Sequence, residues 1–579
     1  MEFELITTNP VGDVVSQLLV NRGIPEKEVA HYLRTTDADL YSPNLLQNIE
    51  KGYDMLMWHL SNDGKILAIV DSDVDGLCSA SLILNYLYFL NPDFVLNNVS
   101  FVSHEHKEHG LNDIDVPDDI TLVLITDGGT NDIEAHKALF DRGIDVLVQD
   151  HHIKEDPMPN KYACIINCQD NTYPNKTLSG AGVVYKFCKY MDLKLGLNYA
   201  DYFLDLVALS EISDMMDIRN METIHLIRKG LSSFNNKFFR YCLQKQNYVM
   251  KGEVTNFGIA FYITPILNAL IRMGSVEDKQ LLFSAFLEYK GQEYIPSTKR
   301  GSKEGDVETV IEQAWRIATN AKRKQTAVRD ELTEYIERLI QEKHLLDNKI
   351  LIICVPQDHC ITETITGLVC NEIAQKYQKP TLLLNEQEEF WKGSFRNPSR
   401  SSINNLRDYL LASDLVTMAA GHNNAGGTCL PKDCVQRLLD KTNQDFSIVN
   451  ENCSYKVDFI FDNDNFNSYD IIQIDDCKGL WGQEMPEPYI AITNLKITRD
   501  NLQLMSPDKH PTLKIKLKNG VEIIKFKSSE EEYNSLISPT GCVIINVIGK
   551  CNKNVWNDRI TPQITVTDYE IIERREYDF

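Results

Sequence analysis

Three short apolar runs, each stopping abruptly at acidic or imidazole side chains, constrain this chain more than any other feature. Ile66–Val70 runs into Asp71-Ser72-Asp73-Val74-Asp75-Gly76, Leu122–Ile125 reaches Asp127-Gly128-Gly129 one residue later, and Val146–Val148 leads to Asp150-His151-His152. A fourth apolar run covers Cys164–Ile166. Near-continuous apolar strands separated by helix-compatible segments predict a parallel sheet covered on both faces. In such a sheet the carboxyl ends lie side by side, along the edge where open α/β folds bind ligands. At least four carboxylates and two imidazoles therefore converge on one crevice. Asp-Gly after a single strand is usually a turn, but three strands ending in this chemistry are poorly explained as turns. Crowded like charges cost several kcal/mol, roughly, unless protons or cations neutralise them. Hard divalent cations suit carboxylate oxygens, and Mn²⁺ also accepts imidazole.

The rest of the chain reads as further units. Residues 1–50 are short helices, 180–290 are largely helical, and Ser297–Asp306 is a polar loop. Val307–Glu342 is one long polar helix of the kind that bridges domains. A second α/β unit starts at Lys349, and the last 130 or so residues carry short strands and turn signals of a small β-barrel or sandwich. With 83 acidic against 59 basic residues the formal charge is −24, so a nucleic-acid partner needs local basic surface or bound cations. The start carries no basic and apolar signal segment, no run approaches a membrane span, and the 14 cysteines form no C-x-x-C pair. A reducing cytoplasm is the expected setting. Cys78, Cys168 and Cys360 read as packing residues.

Basic surface is offered by Thr512–Lys527, read as a hairpin with a two-residue Asn519-Gly520 turn. That register sets Lys514 opposite Lys525 and puts Lys514, Lys516 and Lys518 on one face. An anionic partner or a solvated, edge-protecting lysine face accounts for it equally well. Lys322-Arg323-Lys324 and Arg329 on the long helix read as solvated surface or as a phosphate track. Trp481 and Trp556 are base-stacking platforms or barrel core.

The run Asp71-x-Asp73-x-Asp75-Gly76, then Asp127, then Asp150-His151-His152 resembles the DHH phosphoesterases, and among them the RecJ exonucleases. Leu178-Ser179-Gly180-Ala181-Gly182-Val183, Asp205 to Asp214, and Asn268-Ala269-Leu270-Ile271-Arg272 are similar to later RecJ motifs, although relatives usually carry Gly where Ile271 stands. Gly393-Ser394-Phe395-Arg396 and Gly421-His422-Asn423-Asn424-Ala425-Gly426-Gly427 resemble the accessory DHHA1 domain, and Gly479–Pro488 resembles the stretch leading to the OB-fold.

The resemblance implies an α/β fold: a DHH parallel-sheet catalytic domain (51–295) after an N-terminal helical segment (1–50), a bridging helix (296–345), a DHHA1 α/β domain (346–445) and a C-terminal OB-like β-barrel (446–579). It implies two divalent ions, Mn²⁺ or Mg²⁺, with Asp73 on one, Asp75 on the other, Asp127 bridging, His151 and Asp214 completing the shell, and Asp71 in the cluster. Asp150 would orient a histidine and His152 would face the scissile phosphate, gripped by Arg272, Ser394, Arg396, His422 and Asn423, with Lys514, Lys516 and Lys525 holding more distant phosphates. The implied activity is 5′-to-3′ hydrolysis of single-stranded DNA in repair, recombination or replication, by a monomer with no membrane contact whose protein partner would be a single-strand-binding protein or helicase. The alternatives are a DHH phosphodiesterase acting on short oligonucleotides or cyclic dinucleotides, and an inactive single-strand-binding scaffold.

Overall fold

A computed structural model describes the chain apart from residues 8–10, 105–109, 112–113, 156–159, 171, 360–362, 399–400, 402, 447–453, 483, 507–509, 539, 558 and 577–579. Cys360 and Gln483 thus lie outside the described residues. The first unit is a five-stranded, all-parallel sheet in the order β2-β1-β3-β4-β5, built from β1 (Ile66–Val70), β2 (Val99–Ser103), β3 (Leu122–Thr126), β4 (Asp145–Asp150) and β5 (Cys164–Asn167). The four expected strands are all present. The edge strand β2 was not foreseen, because its half-exposed Val-Ser-Phe-Val-Ser pattern lacks the continuous apolar run of the others.

Helix α1 (Val74–Leu90) follows β1 directly, with Asp73 as its N-cap: Asp73 Oδ1 accepts a hydrogen bond from Gly76 N at 2.9 Å. Nearly every residue of α1 is buried, which explains its weak amphipathicity. Gly76 is required here, since a Cβ would lie 2.5 Å from the Asp71 Cβ and 2.9 Å from Asp71 backbone. Helices α2 (Gly180–Leu195) and α3 (Leu204–Ser213) pack on α1. Helix α4 (Thr264–Met273) packs along the long α5 (Val310–Glu342), which a capping box at Thr309 and Glu312 starts after the strand Val307–Thr309.

The second α/β unit is mixed: β6 (Leu351–Val355) and β7 (Thr381–Glu386) are parallel, while β8 (Phe390–Arg396), β9 (Met418–His422) and β10 (Ala425–Pro431) are antiparallel, in the order β9-β10-β8-β7-β6. Helix α6 (Glu363–Tyr377) lies against β7 and β8 and also touches α5.

The C-terminal unit corrects two expectations. Its seven strands, β11 (Phe459–Asp462), β12 (Ile490–Ile497), β13 (Leu502–Met505), β14 (Thr512–Lys516), β15 (Glu522–Lys525), β16 (Gly541–Trp556) and β17 (Arg559–Glu576), run in the order β11-β12-β16-β17-β15-β14-β13. Among the described residues β11 and β13 do not pair, so the barrel is open rather than closed. The β14–β15 hairpin has a three-residue loop, Lys518-Asn519-Gly520, with Gly520 at φ +89°, not the two-residue turn read from Asn-Gly. The one-residue slip pairs Lys514 with Ile524 and Lys525 with Leu513, moving Lys525 to the opposite face. Lys514 is ion-paired with Glu522 (2.5 Å) and Lys525 with Glu532 (2.9 Å), while Lys516 is exposed. Lys514 and Lys516 still share a face of β14, but Lys518 lies in the loop and Lys525 does not stand opposite Lys514 as expected.

The N-terminus is tied into this last unit. Phe3–Leu5 pairs in parallel with Tyr455–Val457, and Arg22 grips Asp458 through two bonds of 2.6 and 2.9 Å in a buried pair. Trp481 is buried, with the Arg22 guanidinium 5.9 Å above its ring, whereas Trp556 is exposed at the β16–β17 tip. Among the described residues no helix is long and apolar enough to cross a membrane.

Candidate metal centre

The carboxyl edge of the first sheet gathers three overlapping groups whose ligand atoms lie within 4.8 Å of one another: Asp71, Asp73 and Asp127; Asp75, His151 and Asp214; and Asp127, Asp150, His151 and His152. Asp127 and His151 each belong to two groups. His151 Nε2 lies 3.1 Å from Asp127 Oδ1, 3.6 Å from Asp214 Oδ2 and 3.8 Å from Asp75 Oδ2. Asp127 sits just past β3 in the left-handed region, φ +62°, with its backbone N–H donated to Gln149 O at 2.9 Å. Such a conformation is uncommon for a residue with a Cβ. It turns the carboxylate back over the sheet edge, against Gly180, where a Cβ would come within 2.6 Å of the Asp127 Cβ.

Asp75 is anchored more firmly than its neighbours. Its Oδ2 accepts from Gly180 N (2.7 Å), and its Oδ1 accepts from Ala181 N (2.9 Å), Ser79 Oγ (3.0 Å) and Ser210 Oγ (2.6 Å). The first two donors are the N-terminus of α2, which favours a negative charge there. A carboxylate has about four lone-pair sites, so Oδ2, with one donor, is the atom left to serve a cation. Ser79, Ser210 and the α2 N-terminus hold Asp75 in ways that residue spacing did not reveal. Behind them lies Glu211, fully buried, its carboxyl pushed well above the ordinary range by burial.

Asp150 is engaged by local donors. Its Oδ1 accepts from His151 N (2.7 Å), His152 N (3.1 Å) and His152 Nδ1 (2.8 Å), and its Oδ2 accepts from Thr130 N (3.0 Å). Burial opposes the Asp150 charge, yet His152, His151 and Thr130 together hold its pKa below the usual carboxylate range. In return the Asp150 hydrogen bond raises His152 to about 9. The opposite shift marks the cluster itself. Burial, then Asp75, Asp73 and Asp71, pushes Asp127 well above its ordinary value, and burial with Asp75 and Asp73 pushes Asp214 up to about 8.

The donor set fits hard divalent cations. Carboxylate oxygens and one imidazole share a small volume, and the buried Asp127 Oδ1 accepts no hydrogen bond although His151 Nε2 is 3.1 Å away. That separation suits two adjacent ligands of one ion lying to the side of both.

The expected phosphate-binding residues are only partly brought together. Arg272, at the end of α4, is largely buried; burial lowers its pKa, Arg396 adds to the lowering, and Asp73 opposes it. It therefore lies close enough to both Asp73 and Arg396 to feel their charges. Arg396, at the end of β8, donates through Nη1 to Phe395 O at 2.7 Å and to Gly426 O at 3.3 Å. Ser394 shares its strand, and both side chains abut Gly367 of α6, where a Cβ would be 2.7 Å from Arg396 Nη2 and 3.5 Å from Ser394 Oγ. Gly367→Ala should displace the guanidinium and weaken binding of a phosphate-bearing ligand on the order of tenfold, the worth of a charge-assisted hydrogen bond. Stability should not fall, because Ala is the better helix former by about 1 kcal/mol; a binding titration beside a thermal melt checks both. His422 and Asn423 are exposed at the β9–β10 turn, where Asn423 O accepts from Arg407 N at 2.9 Å. No described contact joins them to the acidic edge.

Clustered acids, most of them buried, with two imidazoles on the carboxyl edge of a parallel sheet and arginines nearby, fit the class of hydrolases that can hold divalent metals. Residues 65–210 match the DHH family, N-terminal domain, and residues 457–568 match the RecJ OB domain. The chain is 35% identical, over 100% of its length and 99% of the relative's, to YorK, an SPbeta prophage-derived protein of Bacillus subtilis (strain 168) whose name assigns it to the single-strand DNA-specific exonucleases. It is 23% identical to the single-stranded-DNA-specific exonuclease RecJ of the same organism, over 98% of this chain and 69% of that one. Its fold matches RecJ of Thermus thermophilus solved with Mn²⁺, with a TM-score of 0.68 at 17% identity, over 99% of this chain and 80% of that one. A second structure of that protein holds Mg²⁺. The chain belongs to the RecJ-like family of single-strand DNA-specific exonucleases.

Proposed function

We propose that this chain hydrolyses single-stranded DNA from its 5′ end, using two divalent ions, Mn²⁺ or Mg²⁺, held at the acidic edge. The observation that carries the reading is the convergence of Asp71, Asp73, Asp75, Asp127, His151 and Asp214 around shared space, with Arg272 near enough to sense both Asp73 and Arg396. Asp71 and Asp73 would hold one ion, Asp75, His151 and Asp214 the other, and Asp127 both. Bound there, the ions would lower the pKa of a water and neutralise charge on the phosphate.

The protein's own groups supply the rest. Asp150 orients His152 at the rim through Nδ1, so that the ring can stabilise charge on the scissile phosphate or pass a proton. Arg272 and Arg396 grip phosphate from the side of the second α/β unit, where their forked donors match its oxygens. Ser394, His422 and Asn423 are proposed to line the same path, and Lys516 to hold phosphates further along. We divide the chain into 1–50, a catalytic unit 51–295, a bridging segment 296–345, a DHHA1-like unit 346–445 and an OB-like unit 446–579. The last of these favours a long single strand over a cyclic dinucleotide, which would need no such extension. A role in DNA repair, recombination or replication follows from this substrate.

Labelled single-stranded DNA incubated with Mn²⁺, with Mg²⁺ or with EDTA tests the reading. Cleavage should be complete under either metal and fall to background in chelator. Label placed at each end should show release from the 5′ terminus. Wild-type protein that binds two metals and cuts no single strand would overturn it.

A further inference from the structure

Ahead of α4 the surface carries three aromatic rings that core packing does not explain. Phe257 is 39% exposed, Phe261 61% and Tyr262 36%. The rings of Phe257 and Phe261 are stacked, with centroids 4.3 Å apart and planes at 25°, and Tyr262 meets Phe257 edge-on at 6.3 Å. The local fold forces them outward. Thr255 caps the short helix Asn256–Gly258, and Ile259–Ile263 then forms a π-turn whose Ile259 and Ile263 enter the core. The wider turn leaves the two rings between them on the outside. π-turns are rare and frequent at functional sites.

Their position is what gives them a role. Thr264, the first residue of α4, meets Ser213 through their hydroxyls at 2.9 Å, and Ser213 is followed by Asp214 of the metal centre. The other end of α4 carries Arg272. One helix thus runs from the aromatic group past the metal centre to a phosphate-gripping arginine, about 16 Å from Phe261 at the helical rise. A stacked strand repeats every 3.4 Å, so about five nucleotides cover that span.

We infer that Phe257, Phe261 and Tyr262 form a stacking platform for the unpaired bases of a single-stranded nucleic acid, several nucleotides from Arg272. The inference rests on the proposed function for its ligand class. Exposed ring faces suit nucleobases, because every base presents a π-face whatever its identity. Stacking also supplies affinity that a chain of net charge −24 cannot obtain from bulk electrostatics.

The test uses the full chain as wild type, Phe261→Ala and Phe261→Trp, with a 5′-phosphorylated single strand of about fifteen nucleotides, the same strand carrying abasic sites, and a trinucleotide. Phe261→Ala should weaken binding of the long strand about 5- to 100-fold. It should leave trinucleotide cleavage within about twofold, since so short a strand cannot reach from Arg272 to the platform. Phe261→Trp should keep the affinity and show indole quenching on binding. The abasic strand should bind the wild type weakly and ignore the Ala substitution. Unchanged affinity of Phe261→Ala for the long strand overturns the platform, as does an equal loss on the abasic strand. Equal impairment of the trinucleotide would also overturn it, by showing that the ring only supports the metal centre. A wild type that binds the long strand through these rings but cuts nothing would instead overturn the proposed nuclease activity and leave the platform standing.

Discussion

Replacing Asp127 with Asn should reduce cleavage of single-stranded DNA by a factor on the order of 10³ or more, while making the metal-free protein more stable. Both effects have one cause. Asp127 is 1% exposed and stands among Asp71, Asp73, Asp75 and Asp214, so in the absence of metal its charge is repelled by all of them. Whether that repulsion is endured or relieved by taking up a proton, folding bears the cost, on the order of 1–3 kcal/mol. Asn removes the charge at nearly constant shape, and Asn tolerates the left-handed backbone at φ +62° better than most residues. Little hydrogen bonding is lost, since Asp127 Oδ1 accepts none. With metal present the sign reverses, because a ligand shared by two groups is gone and ion binding no longer stabilises the native state as strongly. Thermal melts in EDTA and in Mn²⁺, beside a cleavage assay, read all three quantities. A variant that cuts near the wild-type rate would remove Asp127 from the centre of the chemistry. One that is merely destabilised in both conditions would show that the residue is there for the fold.

The acidic edge was legible because its information is local: each apolar run ends in its own acids, and parallel pairing brings those ends together without further detail. The same logic found β1, β3, β4 and β5, and it missed β2, whose exposed edge position leaves no continuous apolar signal. What sequence could not supply was contact between distant segments. The grip of Gly180, Ala181 and Ser210 on Asp75 joins residues more than a hundred positions apart, and Gly367 matters only because Arg396 comes to rest against it. The lysine hairpin failed for a subtler reason. Asn-Gly is the strongest signal for a two-residue turn, but a three-residue loop also ends in a left-handed glycine, and Gly520 satisfies both. Because side chains alternate along a strand, that single residue decides whether Lys525 joins Lys514 or pairs beside Leu513 on the other face.

Removing the His152 imidazole should cost about 10²- to 10⁴-fold in cleavage and should change Mn²⁺ affinity by less than about tenfold, since its Nδ1 is bound to Asp150 and the proposed shell does not draw on this ring. The expectation follows from what each nitrogen does. Nδ1 is held at 2.8 Å by Asp150 Oδ1, so a proton exchanged with the substrate passes through Nε2. The same Asp150 oxygen accepts from the backbone of His151 and His152, so the loop carrying both imidazoles is set by one buried carboxylate. Asp150→Asn offers the contrasting case. It keeps the shape but replaces a pure acceptor with a group that also donates, lowers the His152 pKa and loosens the backbone that presents His151. It should therefore lose activity and metal affinity together, whereas His152→Ala separates them. Isothermal titration with Mn²⁺ alongside single-turnover cleavage distinguishes the two. If His152→Ala loses metal as completely as activity, the ring is a ligand and the acidic edge holds its ions differently from the arrangement proposed. If neither variant affects cleavage, the histidine pair is scaffolding. That outcome is hard to reconcile with the geometry, because a 48% exposed side chain braced by a fully buried carboxylate is a costly way to build a surface.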